Sequence, residues 1–290
     1  MTAPTTISEI KALLKSKNLA PLKNLGQNFL IDCNFLQKIT QAGELTRKDL
    51  VLEVGPGLGG LTEQLLHHAG QVVAVEYDRG LFAVLKETLA EYPQLYLFNQ
   101  DFLEFDLKQL VSINPAQNYK VIANLPYYIT SPVVFKLLES RINWRLMVFL
   151  VQKEVALRMA AQPGGKDYGT LTVMLNFYGE VELLCTVPRS VFYPVPKVDS
   201  AVVKISPRRS GVDWELYSCL HQVVQAAFGQ RRKTILNALT KFEPLLGGKV
   251  AIKELLIKLG IDPGQRGETI GVEQYTAMAQ AIQKHRLEGA

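Results

Sequence analysis

Residues 124 to 129, Asn-Leu-Pro-Tyr-Tyr-Ile, set an uncharged amide beside a proline and two aromatic rings. These groups suit chemistry on an amino group attached to an aromatic base. Such a nitrogen is a poor nucleophile because its lone pair is delocalised into the ring, yet its two N–H groups donate hydrogen bonds well. Two fixed neutral acceptors, the Asn124 side-chain oxygen and the Leu125 carbonyl, would hold both hydrogens and favour a pyramidal nitrogen with its lone pair turned out of the ring. Alignment and electrostatics then supply the acceleration, and no charged base is needed. Pro126 stiffens the turn. Tyr127 or Tyr128 offers a face for an unstacked base, a contact worth about 1–3 kcal/mol.

The elements that must position these groups are legible from about residue 50. Short Val/Ile/Leu runs alternate with amphipathic stretches in the order DLVLEVG, LTEQLLHHA, QVVAVEYD, RGLFAVLKETLAEY, LYLFNQD and YKVIANLPYY. That alternation predicts βαβ units and a parallel, doubly wound sheet, an α/β fold. WRLMVFLVQ, LTVMLNFYG and SAVVKIS read as further strands, with EVALRMAAQ as a helix among them. Around SPRRSGVD (206–213) the pattern turns helical, in YSCLHQVVQAAF, TILNALTKF, VAIKELLIKLG and VEQYTAMAQAIQKH. Two domains are expected, 1–209 and 210–290, the second small and all-helical.

The ends of the strands carry the chemistry. VLEVGPGLGGLT (51–62) places Gly55, Gly57, Gly59 and Gly60 between a buried strand and a helix, where glycine lets the backbone turn sharply and approach a ligand. Gly55, Gly57 and Gly60 satisfy G-x-G-x-x-G, so this loop alone does not choose between a dinucleotide and S-adenosylmethionine. The next strand ends in Glu76, placed to accept hydrogen bonds from two ribose hydroxyls. The third ends in FNQDF, where Asp101 can bond an adenine amino group and Phe102 offers the ring an apolar neighbour. The fourth ends in Asn124. Successive ends at the carboxyl edge of a parallel sheet form one crevice. A hydride-transferring enzyme has no use for Asn-Leu-Pro-Tyr there, which favours methyl transfer to the N6 of an adenine.

Composition narrows the setting. The chain of 290 residues carries 32 Lys and Arg against 27 Asp and Glu, a modest excess that leans weakly toward a polyanionic partner. Lys11, Lys15, Lys17 and Lys23 face the single Glu9 in the first thirty residues, and SPRRSG and FGQRRKT concentrate further positive charge. Each basic stretch alone is equally consistent with a solvated face, as are Lys153, Glu154 and Arg158, which take no catalytic role. Cys33, Cys185 and Cys219 are far apart and lack C-x-x-C spacing, which points to a reducing compartment, the cytoplasm, and away from zinc. His67, His68, His221 and His285 match no ligand spacing, so no metal is expected. No apolar run approaches the roughly 18 residues of a membrane span.

Beyond these readings, the sequence resembles the ribosomal RNA adenine N6,N6-dimethyltransferases. The resemblance covers nearly the whole chain and is carried by NLGQNFLID (24–32), VLEVGPGLGGLT, NLPYYITSPVVFKLL, VQKEVALRMAAQPGGKDYGTLTVML, VFYPVPKVDSAVV, FGQRRKTILNAL and GIDPGQRGETIGVEQY. It implies a Rossmann-like class I S-adenosylmethionine-dependent methyltransferase sheet. It also implies a substrate of two adjacent adenosines in the hairpin loop near the 3′ end of small-subunit ribosomal RNA, each methylated twice. The partner would be the immature small subunit, and the enzyme a monomer. Asn28 and Leu30, with Gln27 nearby, would close over the cofactor, and Gly55, Gly57, Glu76, Asp101, Phe102 and Asn124 would complete its pocket. Phe192 would sit on the face of the target adenine opposite the tyrosine step. Arg231, Arg232 and Lys233 would form part of an RNA cradle, whose phosphate contacts position the substrate. The family often has Asn or Phe after the first tyrosine, so Tyr128 leaves open which ring stacks, with Tyr127 favoured by register. The related large-subunit RNA methyltransferases use the same chemistry but lack the FGQRRKT and GIDPGQRGET blocks. DNA adenine methyltransferases also set an amide or acid beside a proline and an aromatic ring, and a ribosome-assembly factor with minor catalysis would keep the same fold. The intact Gly55, Glu76, Asp101 and Asn124 speak against lost catalysis.

Overall fold

The computed structural model of this chain describes residues 3–4, 6–22, 26–115, 118–208, 212–230 and 232–288. Among them, seven strands form one sheet: β1 (Leu50–Val54), β2 (Gln71–Glu76), β3 (Leu95–Asn99), β4 (Tyr119–Asn124), β5 (Trp144–Gln152), β6 (Gly179–Val187) and β7 (Ser200–Pro207). Their spatial order is β3-β2-β1-β4-β5-β7-β6. β1 to β5 pair in parallel, and β7 runs antiparallel to β5. β1 is buried along its whole length and β4 is buried up to Asn124, as strands in a sheet covered on both faces are, although each carries one charged residue, Glu53 and Lys120.

Side-chain caps begin several of the helices. Asp32 accepts from the backbone N–H groups of Asn34 and Phe35 at the start of α2 (Cys33–Ala42), and Asp78 does so from Gly80 and Leu81 at α4 (Arg79–Thr88). α1 (Ile7–Ser16) opens on a reciprocal capping box between Thr6 and Glu9, a signal present in the sequence as Thr-x-x-Glu. Its buried Ile10 and Leu14 pack with Phe29, Leu58, Leu81 and Val84. α3 (Gly60–His68) follows the glycine loop.

The chain divides into two compact units, residues 1–156 with 182–207, and 157–181 with 208–290. The expected boundary at 209/210 falls on residues outside the described set. Residues 157–181 belong to the second unit, so the chain enters it twice. LTVMLNFYG, expected as a strand, is a helix over Thr170–Tyr178, and β6 begins only at Gly179. Leu171 to Leu175 are all buried, and a mostly apolar element buried over successive residues carries no periodicity that separates a core helix from a strand. In that unit this helix packs on the long helices Trp214–Gly229 and Val272–Glu288. Among the described residues no helix is long and apolar enough to cross a membrane.

Candidate active site

Strand order reverses between β1 and β4, and at such a switch point the loops leaving the two strands diverge and open a crevice. The cleft there has a volume of about 1090 Å³, part of it open to solvent. It brings together Gln27, Asn28, Leu30, Gly55, Gly57, Glu76, Asp101, Phe102, Asn124, Leu125, Pro126, Tyr127 and Tyr128, all of them expected site residues.

The glycine loop is shaped for close approach. Gly55 and Gly57 have φ of +69° and +64°, and a Cβ on either would lie 3.2 Å from Pro126 Cγ or the Phe29 ring. Glu76, only 5 % exposed, accepts from Gly57 N at 3.0 Å and Asp78 N at 2.8 Å. Asp101 Oδ1 accepts from Leu103 N at 2.8 Å. Phe102 is buried at the cleft wall, with Lys136 Nζ 5.5 Å from its ring centre and donating to Leu103 O at 2.6 Å. Lys136 therefore clamps the loop that follows β3.

The loop after β4 is pinned at several points. Leu125 N donates to Leu150 O at 3.0 Å, while Pro126 O accepts from Ile129 N at 3.2 Å and Thr130 Oγ1 at 3.1 Å. Asn124 Nδ2 donates to Asn28 O at 3.3 Å, which turns Oδ1 away from that carbonyl. Asn28 Nδ2 donates to Gly26 O, and Gln27 links Leu22 N to Asp78 Oδ2, so both side chains brace this wall.

The two tyrosines diverge. The Tyr127 hydroxyl shares a 2.7 Å hydrogen bond with buried Ser200, whereas Tyr128 is 50 % exposed beside Gly26. Burial raises the Tyr128 phenol pKa, and the charges of Asp101 and Glu76, with Tyr77, raise it further.

Phe192 is placed differently from expectation. It is 0 % exposed, pairs with Leu30 in a two-residue ribbon and belongs to the core cluster with Leu36, Ile39 and Val202. It does not line the cleft. Apolar pairing to Leu30 turns the ring inward, and facing a target base would require that ribbon to repack. Arg232 and Lys233 are exposed in the second unit, and Arg231 lies outside the described residues. Among the described residues no cluster of His, Cys, Asp or Glu is arranged to hold a metal ion.

Sequence reasoning passed over three participants. Pro4 lines the cleft, and the neighbouring Ala3 N donates to Glu63 Oε2 at 3.2 Å. Glu53, on β1, also lines the cleft and is 1 % exposed. Ser200 anchors Tyr127. A carboxylate interrupting the LVLEV run was a visible signal for Glu53, whereas the other two depend on chain segments far apart in sequence.

Glu53 Oε2 is buried without a hydrogen-bond partner among the described residues, and burial pushes the carboxyl up to about 8, with the Thr62 hydroxyl pulling back and Glu76 adding to the rise. Burial pushes Glu76 to about 7 against the backbone N–H groups of Asp78 and Gly57. Unfolded, both carboxyls ionise near 4.5, so the folded protein holds more protons between pH 4.5 and about 7–8. Stability of the protein alone should therefore fall as pH rises through that window. Thermal melts across it should show the decline, and Glu53→Gln should flatten it and raise Tm at pH 8; an unchanged slope in that variant would contradict the account.

Seven strands in this order, with a glycine loop after β1 and acidic groups ending β2 and following β3, define a class I S-adenosylmethionine-dependent methyltransferase. The chain matches the family described as Ribosomal RNA adenine dimethylase over residues 21–284 and belongs to it. It is 46% identical to Ribosomal RNA small subunit methyltransferase A of Moorella thermoacetica, over 98% of this chain and 100% of that one. Its identity to the protein of the same name from Geobacillus kaustophilus is 44%, over 96% of each. Among solved structures it is similar to a dimethyladenosine transferase from Plasmodium falciparum, with TM-score 0.74, 26% identity, and coverage of 88% of this chain and 97% of that one. It is also similar to the 23S rRNA methyltransferase ErmE, with TM-score 0.67, 28% identity, and coverage of 88% and 99%.

Proposed function

We propose that this protein dimethylates N6 of two adjacent adenosines in the hairpin loop near the 3′ end of small-subunit ribosomal RNA. It acts as a cytoplasmic monomer on the immature small subunit, and residues 1–209 carry the chemistry while 210–290 hold RNA. The observation that carries the reading is the pinned loop after β4: the Asn124 amide, oriented through Asn28 O, stands next to the Leu125 carbonyl on the wall of one cleft.

The residues present fit S-adenosylmethionine. Glu76 would take the ribose hydroxyls, Asp101 the adenine amino group and Phe102 one face of the adenine. The cradle at Gly55 and Gly57 would receive the rest, with Asn28 and Leu30 closing over it. When bound, the cofactor supplies a methyl group on an electrophilic sulfonium. Asn124 Oδ1 and the Leu125 carbonyl accept the two N6 hydrogens, orienting the nitrogen without taking its proton, which passes to water. Tyr127 provides the stacking face, and Arg232 and Lys233, with Arg231, contribute phosphate contacts in the second domain.

Fold likeness alone does not separate small-subunit from large-subunit substrates, because the solved neighbours include both a dimethyladenosine transferase and ErmE. Identities of 44–46% to small-subunit enzymes favour the former. The deciding experiment supplies the purified protein and labelled cofactor to immature small subunits, to large-subunit RNA and to DNA. Four methyl groups per small subunit are expected, with primer extension blocked at two adjacent adenosines. Incorporation into large-subunit RNA or DNA instead would reassign the substrate, and binding to the subunit without methyl transfer would make the protein an assembly factor.

A further inference from the structure

We propose that Ser200 is a positioning residue for methyl transfer, acting through the Tyr127 hydroxyl; the inference rests on the reading of Tyr127 as the stacking face. Tyr127 and Ser200 are separated by 73 positions, yet their hydroxyls lie 2.7 Å apart. Ser200 is 0 % exposed and opens β7, where it pairs with Gln152 of β5. The residue that follows β5, Lys153, donates its N–H to Asp199 O at 3.0 Å, so the backbone on both sides of this pairing is held. Leu125, two residues before Tyr127, is bonded to Leu150 of the same strand. β5 is therefore a common frame, and the hydroxyl pair reaches across it from the end of β4 to the start of β7.

A ring that serves as a platform must stay where the base arrives. Pro126 and the turn closed by Ile129 and Thr130 hold the Tyr127 backbone but leave rotation about Cα–Cβ. The hydroxyl lies farthest from that axis, so an anchor there restricts the rotation most. Burial raises the Tyr127 phenol pKa, so the group remains a neutral hydrogen-bonding partner at physiological pH. Tyr128 is half exposed, so solvent rather than the sheet surrounds much of its ring.

The test is a double-mutant cycle on the full-length protein, using small ribosomal subunits from cells that lack these methyl groups. Ser200→Ala and Tyr127→Phe should each slow single-turnover methyl transfer by about tenfold, and the double variant should be no slower than either single. Cofactor affinity should stay close to the parent in all three, and Tm should fall by no more than about a few degrees, as loss of one buried hydrogen bond allows. A near-normal rate in Ser200→Ala, or multiplying losses in the double variant, would overturn the inference. Tyr127→Ala separates it from the reading beneath: normal turnover there removes the stacking face itself, whereas an inactive Tyr127→Ala beside a normal Ser200→Ala removes only the role of Ser200.

Discussion

Asn124→Ala should lower the methyl-transfer rate by about 10²–10³-fold, the usual consequence of deleting one preorganised polar partner of the transition state. The Asn124 amide is fixed rather than free: its Nδ2 donates to Asn28 O, and the adjoining Leu125 N–H is committed to Leu150 O. Alanine removes the acceptor and leaves the rest of the loop tied down, so the loss should fall on the chemical step. Single-turnover kinetics with saturating cofactor and RNA should show it, while calorimetric affinity for S-adenosylmethionine changes only a few-fold. Asn124→Asp is the informative companion. It keeps oxygen acceptors but sets a carboxylate against the Asn28 carbonyl, so it should rank between parent and alanine. Turnover by Asn124→Ala within tenfold of the parent would contradict the role given to the amide.

The second large effect is expected from Glu76→Ala, and it belongs to binding. The Glu76 carboxylate is held at the end of β2 by backbone donors from Gly57 and Asp78, which aim it into the cleft. Two hydrogen bonds from ribose hydroxyls to a charged acceptor are worth about 1.5–3 kcal/mol each, so their loss should weaken cofactor affinity by about 10²-fold or more. Alanine also deprives two part-buried N–H groups of their acceptor, loosening the glycine loop. Glu76→Gln keeps an oxygen for one of them and should recover part of the affinity. Isothermal titration with S-adenosylmethionine reads both values, and an unchanged affinity in Glu76→Ala would require the ribose to lie elsewhere. Ionised Glu76 is the better acceptor, so affinity in the parent should improve as pH rises through about 7, the value to which burial lifts this carboxyl. That gain is opposite in sign to the stability of the protein alone over the same window, because binding supplies the donors that the buried charge lacks.

Much of the site could be read before any fold was known. Parallel strands buried on both faces are near-continuous apolar runs, so β1, β2 and β4 announce themselves even with Glu53 and Lys120 inside them, and the polar residues that end β2 and β4 are open to reading as well. Gly55, Glu76, Asp101 and Asn124 meet in the structure because strands side by side bring their carboxyl ends to one edge. That follows from local patterns plus a topological rule, without knowledge of packing.

Other features depend on which segments meet across the core. The helix Thr170–Tyr178 is mostly apolar with five successive buried residues, and only its packing against Trp214–Gly229 distinguishes it from a strand. Phe192 has a side chain fit for stacking, but its pairing with Leu30 decides that the ring faces the core. Glu53 sits in a run whose burial is legible, but the absence of a partner for Oε2 among the described residues is a property of its surroundings. Local sequence thus determined the parallel strands β1 to β5, the glycine loop and the acceptors at the strand ends, because periodicity and backbone stiffness act over a few residues. The tertiary structure alone decided which tyrosine is anchored, where Phe192 points and how far two carboxyls rise in pKa. Those outcomes depend on side chains scores of residues apart, brought within hydrogen-bonding distance or shut off from water by the closing of the sheet.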